Sequence, residues 1–317
     1  MSETEAEGGF RVPRSSIPKQ IRRARRREAI ASGAVAPTRP KLPKPVAIPA
    51  IPVETSRLEW ERGFAARGWT PFPYQREAWN GFLKGESGLI VLPTGSGKTF
   101  AVLGGPLISL RAAGSVGRAS ELRILYISPL KALVRDLEKS VVGFLGELGW
   151  RFRVETRTGD TDAGERRRQR ENLPHLLITT PESLALLLTG EGWRERFAGV
   201  EAIVIDEWHE LLGSKRGSLL ELNLARLRAA APTARTWAVS ATIADPELAA
   251  RVATGGTAAE IVRDQLFRDV EIDSILPETE GDLPWFGHYG LRRVVEVITD
   301  SVASSRSARR STPRARP

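Results

Sequence analysis

The chain has 317 residues, enough for one large or two ordinary domains. It contains no cysteine and only three histidines (His175, His209, His288), which excludes a disulfide framework and a cysteine nucleophile and argues against a His-rich metal site. The formal net charge of +9 is concentrated at the ends: residues 11–44 carry 11 Lys/Arg against the single acid Glu28, residues 304–317 add five Arg, and the body between them is slightly acidic, so the basicity favours phosphate backbones without identifying what the body does.

Residues 1–55 are poor in aromatics and punctuated by Pro40, Pro43, Pro45, Pro49 and Pro52. They read as a disordered, basic, Pro-rich arm. The arginine cluster within 22–27 fits a nucleic-acid-binding arm and a solvated tail equally well. No apolar run approaches the length of a membrane span and no signal-peptide core follows Met1, so a soluble cytoplasmic protein with no membrane partner is expected.

The body begins at residue 56. Trp60 and Phe64 share one face of an expected helix, and Gly68-Trp69-Thr70-Pro71-Phe72-Pro73-Tyr74-Gln75 follows. An aromatic cluster before a glutamine can hold adenine, with Gln75 offering a donor and an acceptor to the Hoogsteen edge. Taken alone, the same rings are more often plain core packing.

Gly88-Leu89-Ile90-Val91-Leu92 is a short apolar run ended by Pro93-Thr94-Gly95-Ser96-Gly97-Lys98-Thr99. The run predicts a buried strand. The loop predicts a phosphate cradle of the Walker A type, with Leu92 where the general pattern has Gly. In it the backbone of Thr94, Gly95, Ser96 and Gly97 wraps the phosphates, Lys98 reaches the β- and γ-phosphates, and the Thr99 hydroxyl ligates Mg²⁺. The apolar stretch from Phe100 predicts a helix whose positive N-terminal end faces the same phosphates.

Downstream, apolar strands alternate with helical patterns. Strands are expected at 124–127, 152–156, 176–178, 202–205 and 236–239, with helices at 132–148 and 165–171. That alternation predicts an α/β fold, a parallel sheet covered by helices on both faces. Ligands in such sheets sit beyond the carboxyl ends of the strands, where each polar motif here falls. Asp206 follows four apolar residues and reads as the acid that holds the Mg²⁺ shell; Glu207 beside it can orient and deprotonate a water. Alternatively, the two acids merely cap a following helix. His209 can hydrogen-bond Ser240 or Thr242 and so couple nucleotide state to the rest of the domain.

Gln75, the loop 93–99, Ser128-Pro129-Leu130-Lys131-Ala132-Leu133, Thr180-Pro181-Glu182-Ser183, Asp206-Glu207-Trp208-His209 and Ser240-Ala241-Thr242 together resemble a superfamily 2 helicase of the DExH-box type. Gly-Trp-Thr-Pro-Phe-Pro before Gln75, and Trp208 within the acid motif, are most similar to the large helicase-related (Lhr) family, in particular its ligase-associated bacterial branch, over residues 57–303. The resemblance implies a RecA-like P-loop domain over 56–263 that uses ATP and Mg²⁺ to move on single-stranded nucleic acid, DNA rather than RNA. It further implies a role in bacterial DNA repair, with ligase or nuclease partners. Lys131, Arg157, Thr158 and Thr180 fall on motifs that in such helicases grip the strand backbone. Lys131 and Arg157 read equally well as solvated loop charges.

Residues 264–303 are expected to be a linker and the start of a second RecA-like lobe, with a strand at 269–276 and a helix at 289–302 whose Leu291, Val294, Val295 and Ile298 share a face. Residues 304–317, rich in Ser, Arg and Pro, cannot form the next apolar strand and read as a disordered tail. A truncated helicase is therefore expected, without the second lobe's arginine finger, which in related phosphoryl-transfer sites is worth about 10³–10⁵ in rate. The alternative is a nucleotide-responsive nucleic-acid-binding fragment with little turnover.

Overall fold

A computed structural model describes residues 47–93, 95–114, 122–256 and 258–263. The apolar runs form strands β1 Ser87–Val91, β2 Ile124–Ile127, β3 Val154–Arg157, β4 Leu176–Thr179, β5 Ala202–Ile205 and β6 Arg235–Ser240. A seventh strand, β7 Ala259–Arg263, lies beyond the runs that the sequence marks. Only Val262 of it is buried, so it carries no apolar signature and owes its strand to pairing with β1. All pairs are parallel, in the order β3-β4-β2-β5-β6-β1-β7.

Ten helices connect the strands within the described residues: α1 Val53–Ala66, α2 Pro73–Lys84, α3 Lys98–Ala113, α4 Lys131–Glu147, α5 Ala163–Glu171, α6 Pro181–Leu187, α7 Trp193–Phe197, α8 Trp208–Leu211, α9 Lys215–Ala230 and α10 Pro246–Thr254. The register decides where the strands end relative to one another. Val91 lies opposite Ser240, Ile127 opposite both Ile205 and Thr179, and Thr179 opposite Arg157. The loops that follow these strands therefore emerge along one edge, and every polar motif named above sits on it.

Two cores flank the sheet. On one face Leu89, Leu125, Ile127, Leu177, Ile203 and Ile205 pack with Phe197, Trp208, Leu220, Leu224 and Ala249 from the later helices. The period-two alternation of a strand turns the intervening residues to the opposite face. There the packing is aromatic: the Trp60 ring lies 4.8 to 6.1 Å from those of Phe64, Trp79, Phe100, Phe144 and Trp150, most pairs at steep angles. Such edge-to-face contacts add about 0.5–1.5 kcal/mol per pair beyond their burial.

The N-terminal boundary needs one correction. The arm expected to run to residue 55 ends earlier, because the Ile51 N–H donates to the Ala112 carbonyl at 3.0 Å and α1 begins at Val53. Pro52, the last of the prolines that punctuate the expected linker, stands at the N-cap of α1, where its missing N–H costs nothing. Residues 1–46, Thr94, and the strand and helix expected within 264–303 lie outside the described residues, as does the tail 304–317. No helix among the described residues is long and apolar enough to cross a membrane.

Helix α3 is buried almost all round and packs tightly on α2. A Cβ on Gly104 would lie 2.1 Å from the indole nitrogen of the fully buried Trp79, which itself donates to the Phe100 carbonyl at 2.9 Å. Gly104→Ala is expected to lower stability by about 1–3 kcal/mol through overpacking, although alanine is the better helix former. Urea unfolding followed by tryptophan fluorescence measures it; an unchanged or raised midpoint refutes the overlap.

Candidate active site at the carboxyl edge of the sheet

Strand β1 leads into the phosphate loop, and the Leu92 N–H is tied to the Ser240 carbonyl at 3.0 Å. Gly95 (φ 74) and Gly97 (φ 80) adopt the left-handed conformation, which a side chain would strain. The Ser96 hydroxyl donates to the Pro93 carbonyl at 2.7 Å and closes the loop. Gly97 is the N-cap of α3, so Lys98 and Thr99 occupy its first two positions.

The acid loop leaves β5 one strand away from β6. Asp206 accepts the Glu207 N–H at 3.0 Å, and Glu207 takes φ 44 and ψ 51, the positive φ found among non-glycine residues of the described chain. Glu207 stands at the N-cap of α8 but makes no side-chain cap bond, which removes capping as the reason for the acid pair. Its carboxylate meets the Lys98 ammonium, both oxygens at 3.4 Å. Fully buried Trp208 donates to the Ala249 carbonyl at 3.0 Å and pins the loop from behind.

Tyr126 lies on β2, within the apolar run expected at 124–127. It is fully buried, and its hydroxyl interacts with both the Asp206 carboxylate and the Thr99 hydroxyl, one from the acid loop and one from the helix after the phosphate loop. Burial, then the carboxylate of Asp206, push its hydroxyl well above the usual phenol range. The Asp206 carboxyl is also raised, first by burial and then by Glu207, with Tyr126 and Lys98 opposing. The only sequence signal for Tyr126 was a hydroxyl in an otherwise aliphatic run.

Two oxygen donors, Thr99 and Asp206, thus converge on one hydroxyl; hard oxygen ligands of this kind suit Mg²⁺. His209 Nδ1 lies 3.1 Å from the Ser240 hydroxyl, which donates to the Thr242 carbonyl at 3.1 Å. Beside the loop, a cavity of about 390 Å³ is lined by Trp69, Phe72, Phe100, Gln75, Gly97 and Thr99 among others. Gln75 accepts the Phe72 N–H at 2.9 Å and donates to the Gly97 carbonyl at 3.2 Å. One N–H and one lone pair of its amide are left, the one donor and one acceptor that the Hoogsteen edge of adenine needs. Phe72 stacks on Tyr74, whose hydroxyl donates to the Ser96 carbonyl.

The residues expected to grip a strand divide. Lys131 is half-exposed and pairs with Asp160 at 2.6 Å. The Thr158 N–H donates to the Thr161 hydroxyl at 2.9 Å, and the Thr180 hydroxyl accepts the Ser183 N–H at 3.4 Å as the cap of α6. Arg157 departs from the expectation: it is 8% exposed and donates to the Arg166 carbonyl, bracing the loop from below. Burial and the neighbouring Arg166, Arg170 and Arg196 pull its pKa down to about 10.

The family model described as DEAD/DEAH box helicase matches residues 72–250. The Lhr helicase/uracil glycosylase of Escherichia coli is 38% identical over 228 residues, 67% of this chain and 15% of that protein. The ATP-dependent helicase Lhr-Core protein 2 of Thermococcus barophilus is 37% identical, over 62% of this chain and 24% of its own. Among solved structures, the Mycobacterium smegmatis helicase Lhr bound to ssDNA and AMP-PNP is similar with a TM-score of 0.55 and 34% identity, covering 65% of this chain and 27% of that one. The chain thus spans about a seventh to a quarter of the length of these curated relatives.

Because the folded Asp206 carboxyl is raised above an unfolded aspartate, the folded state holds its proton more tightly. Stability therefore falls as pH rises through the window from the ordinary aspartate range to the raised value, and above it the ionised group weakens the ligand-free fold. Asp206→Asn keeps the acceptor for the Glu207 N–H and removes the charge. It is expected to raise the urea midpoint at pH 7 and to flatten the acidic limb of the stability profile. A lower midpoint at pH 7 refutes this electrostatic account.

Proposed function

Because the chain belongs to the DEAD/DEAH box helicase family, we propose that it binds and hydrolyses ATP with Mg²⁺ and couples this to single-stranded nucleic acid, DNA in preference to RNA. The observation that carries the reading is the meeting of Lys98 and Thr99 from the end of β1 with Asp206 and Glu207 from the end of β5, held together through Tyr126. When bound, Mg–ATP supplies the phosphoanhydride to be broken and a metal charge that stabilises the leaving oxygens.

The chain's own residues then have distinct tasks. Lys98, paired with Glu207 in the ligand-free chain, would hold the β- and γ-phosphates of the bound nucleotide. Thr99 and Asp206 offer the metal a hydroxyl and a carboxylate or its water shell. Glu207, freed from Lys98, orients a water and takes its proton. Trp69 and Phe72 flank the base, and Gln75 offers it the remaining N–H and lone pair of its amide. His209, through Ser240, reports the state of the acid loop to the end of β6. Lys131 and Thr158 face a strand's phosphates, and such contacts position it without reading its sequence, while buried Thr180 holds the start of α6 beside them. The ssDNA in the M. smegmatis Lhr structure supports DNA as the partner. A place in DNA repair, with ligase or nuclease partners, belongs to the same proposal.

A second reading, a nucleotide-responsive binding module with little turnover, is favoured by the ion pair that occupies Glu207. ATP hydrolysis measured with and without oligothymidylate separates the two. Turnover that rises with the oligonucleotide, is abolished by Lys98→Ala, and falls about 10²–10⁴-fold in Glu207→Gln with nucleotide binding retained supports the enzyme. Strand binding that weakens steeply with salt, without turnover, supports the module. Glu207→Gln at full activity refutes Glu207 as the base.

A further inference from the structure

Helix α8 ends after one turn, and the chain enters α9 through Gly213-Ser214. The Ser214 hydroxyl accepts the Gly217 N–H at 3.0 Å and donates to the Leu211 carbonyl at 2.7 Å, bridging the two helices. Gly217 packs so closely beneath α8 that a Cβ there would lie 1.9 Å from the Leu211 carbonyl oxygen. Only glycine permits that approach, so the junction joins the acid loop and the start of α9 as one piece.

Arg216 stands at this junction. Its Nε donates to Glu182 Oε1 at 2.6 Å, and its Nη2 donates to Glu182 Oε2 at 3.3 Å and to the Pro129 carbonyl at 3.0 Å. Glu182 lies in the first turn of α6, which Thr180 caps at the end of β4. Pro129 belongs to the loop after β2 that carries Lys131. One planar guanidinium therefore ties the element bearing Glu207 and His209 to two separate segments of the carboxyl edge, in a fork that lysine cannot reproduce. The pair is 43% and 51% exposed, so it contributes little to stability. Its consequence lies in the position it imposes.

We propose that Arg216 is a positioning residue that couples nucleotide state to strand affinity, setting the Pro129 loop and the start of α6 according to the position of the acid loop. The proposal rests on the function proposed above and adds to it the part that transmits the signal. Arg216 touches neither nucleotide nor strand in this scheme. It acts through Glu182 and Pro129, so its removal should change the linkage between two ligands and not the affinity for nucleotide alone.

The test uses the full chain and the fluorescence anisotropy of labelled oligothymidylate, titrated without nucleotide and with saturating Mg–AMP-PNP. The ratio of the two dissociation constants is the coupling, expected at about fivefold or more in the unsubstituted chain. In Arg216→Ala the ratio should fall to within about twofold of one, while AMP-PNP binding without DNA stays unchanged. Arg216→Lys, which keeps the charge but loses the fork, should recover only part of the ratio. Glu182→Gln, which leaves the guanidinium in place, should lower it independently and guards against a misfolded arginine variant. A full ratio in both Arg216→Ala and Glu182→Gln overturns the proposal, as does nucleotide affinity that falls in Arg216→Ala without DNA. An unsubstituted chain with a ratio of one overturns it too, leaving the function intact. An unsubstituted chain that binds no oligothymidylate instead sinks the functional reading itself, and the coupling with it.

Discussion

Lys98 stands among more negative charge than it can neutralise. Asp206 and Glu207 are consecutive, both are partly buried, and one ammonium answers them, at 3.4 Å from Glu207. Breaking a buried pair by deleting one partner typically costs about 3–5 kcal/mol, somewhat less where the groups keep some exposure as they do here. In the proposed function the contact that holds the ligand-free site is the one given up when Lys98 turns to phosphates. What replaces it has to bring positive charge to Asp206 and negative charge to Lys98 together, which a metal–nucleotide complex does. The raised carboxyl of Asp206 and the left-handed backbone of Glu207 are two signs of the same strain.

That pair could not form without the sheet register. Strands β1 and β5 are not neighbours; β6 lies between them, and the Leu92 N–H to Ser240 carbonyl bond fixes how far the phosphate loop stands beyond it. The same Ser240 meets His209 through its hydroxyl. A single residue at the end of β6 therefore touches both loops, by its backbone on one side and its side chain on the other. The aromatic layer fixes the remaining coordinate. Glycines 104 and 105 admit Trp79 and Phe82 against α3, so the helix that carries Lys98 and Thr99 is seated by packing from α2.

The strands and the loops that follow them were legible because each signal is local: an apolar run, then a polar loop. Strand β7 was not, since Ala259, Glu260 and Ile261 are only partly covered and the strand exists through its partner. Tyr126 was hidden for another reason. Its hydroxyl has meaning only beside Thr99 and Asp206, from two other strand ends, and a linear pattern cannot show that convergence. Gln75 was legible in type but not in detail, because half of its amide is already engaged by Phe72 and Gly97. Pro52 misled in the opposite direction, a helix start taken for a linker.

Charge in the sequence also does not say which charges a partner can use. Lys131 and Arg157 looked alike, one basic residue after each of two strands. Lys131 is half-exposed and engaged with an exposed carboxylate, Asp160, and a phosphate can displace that carboxylate at little cost because both groups remain hydrated. Arg157 is buried among three other arginines with its guanidinium on a backbone carbonyl, so a phosphate would have to enter the fold to reach it. The positive field of the cluster still extends outward, and it can draw a polyanion toward this side of the edge without any contact to Arg157. In the proposed function attraction and grip are therefore assigned to different residues: half-exposed Lys131 and partly covered Thr158 remain open to a strand, while Thr180 is as buried as Arg157 and caps α6.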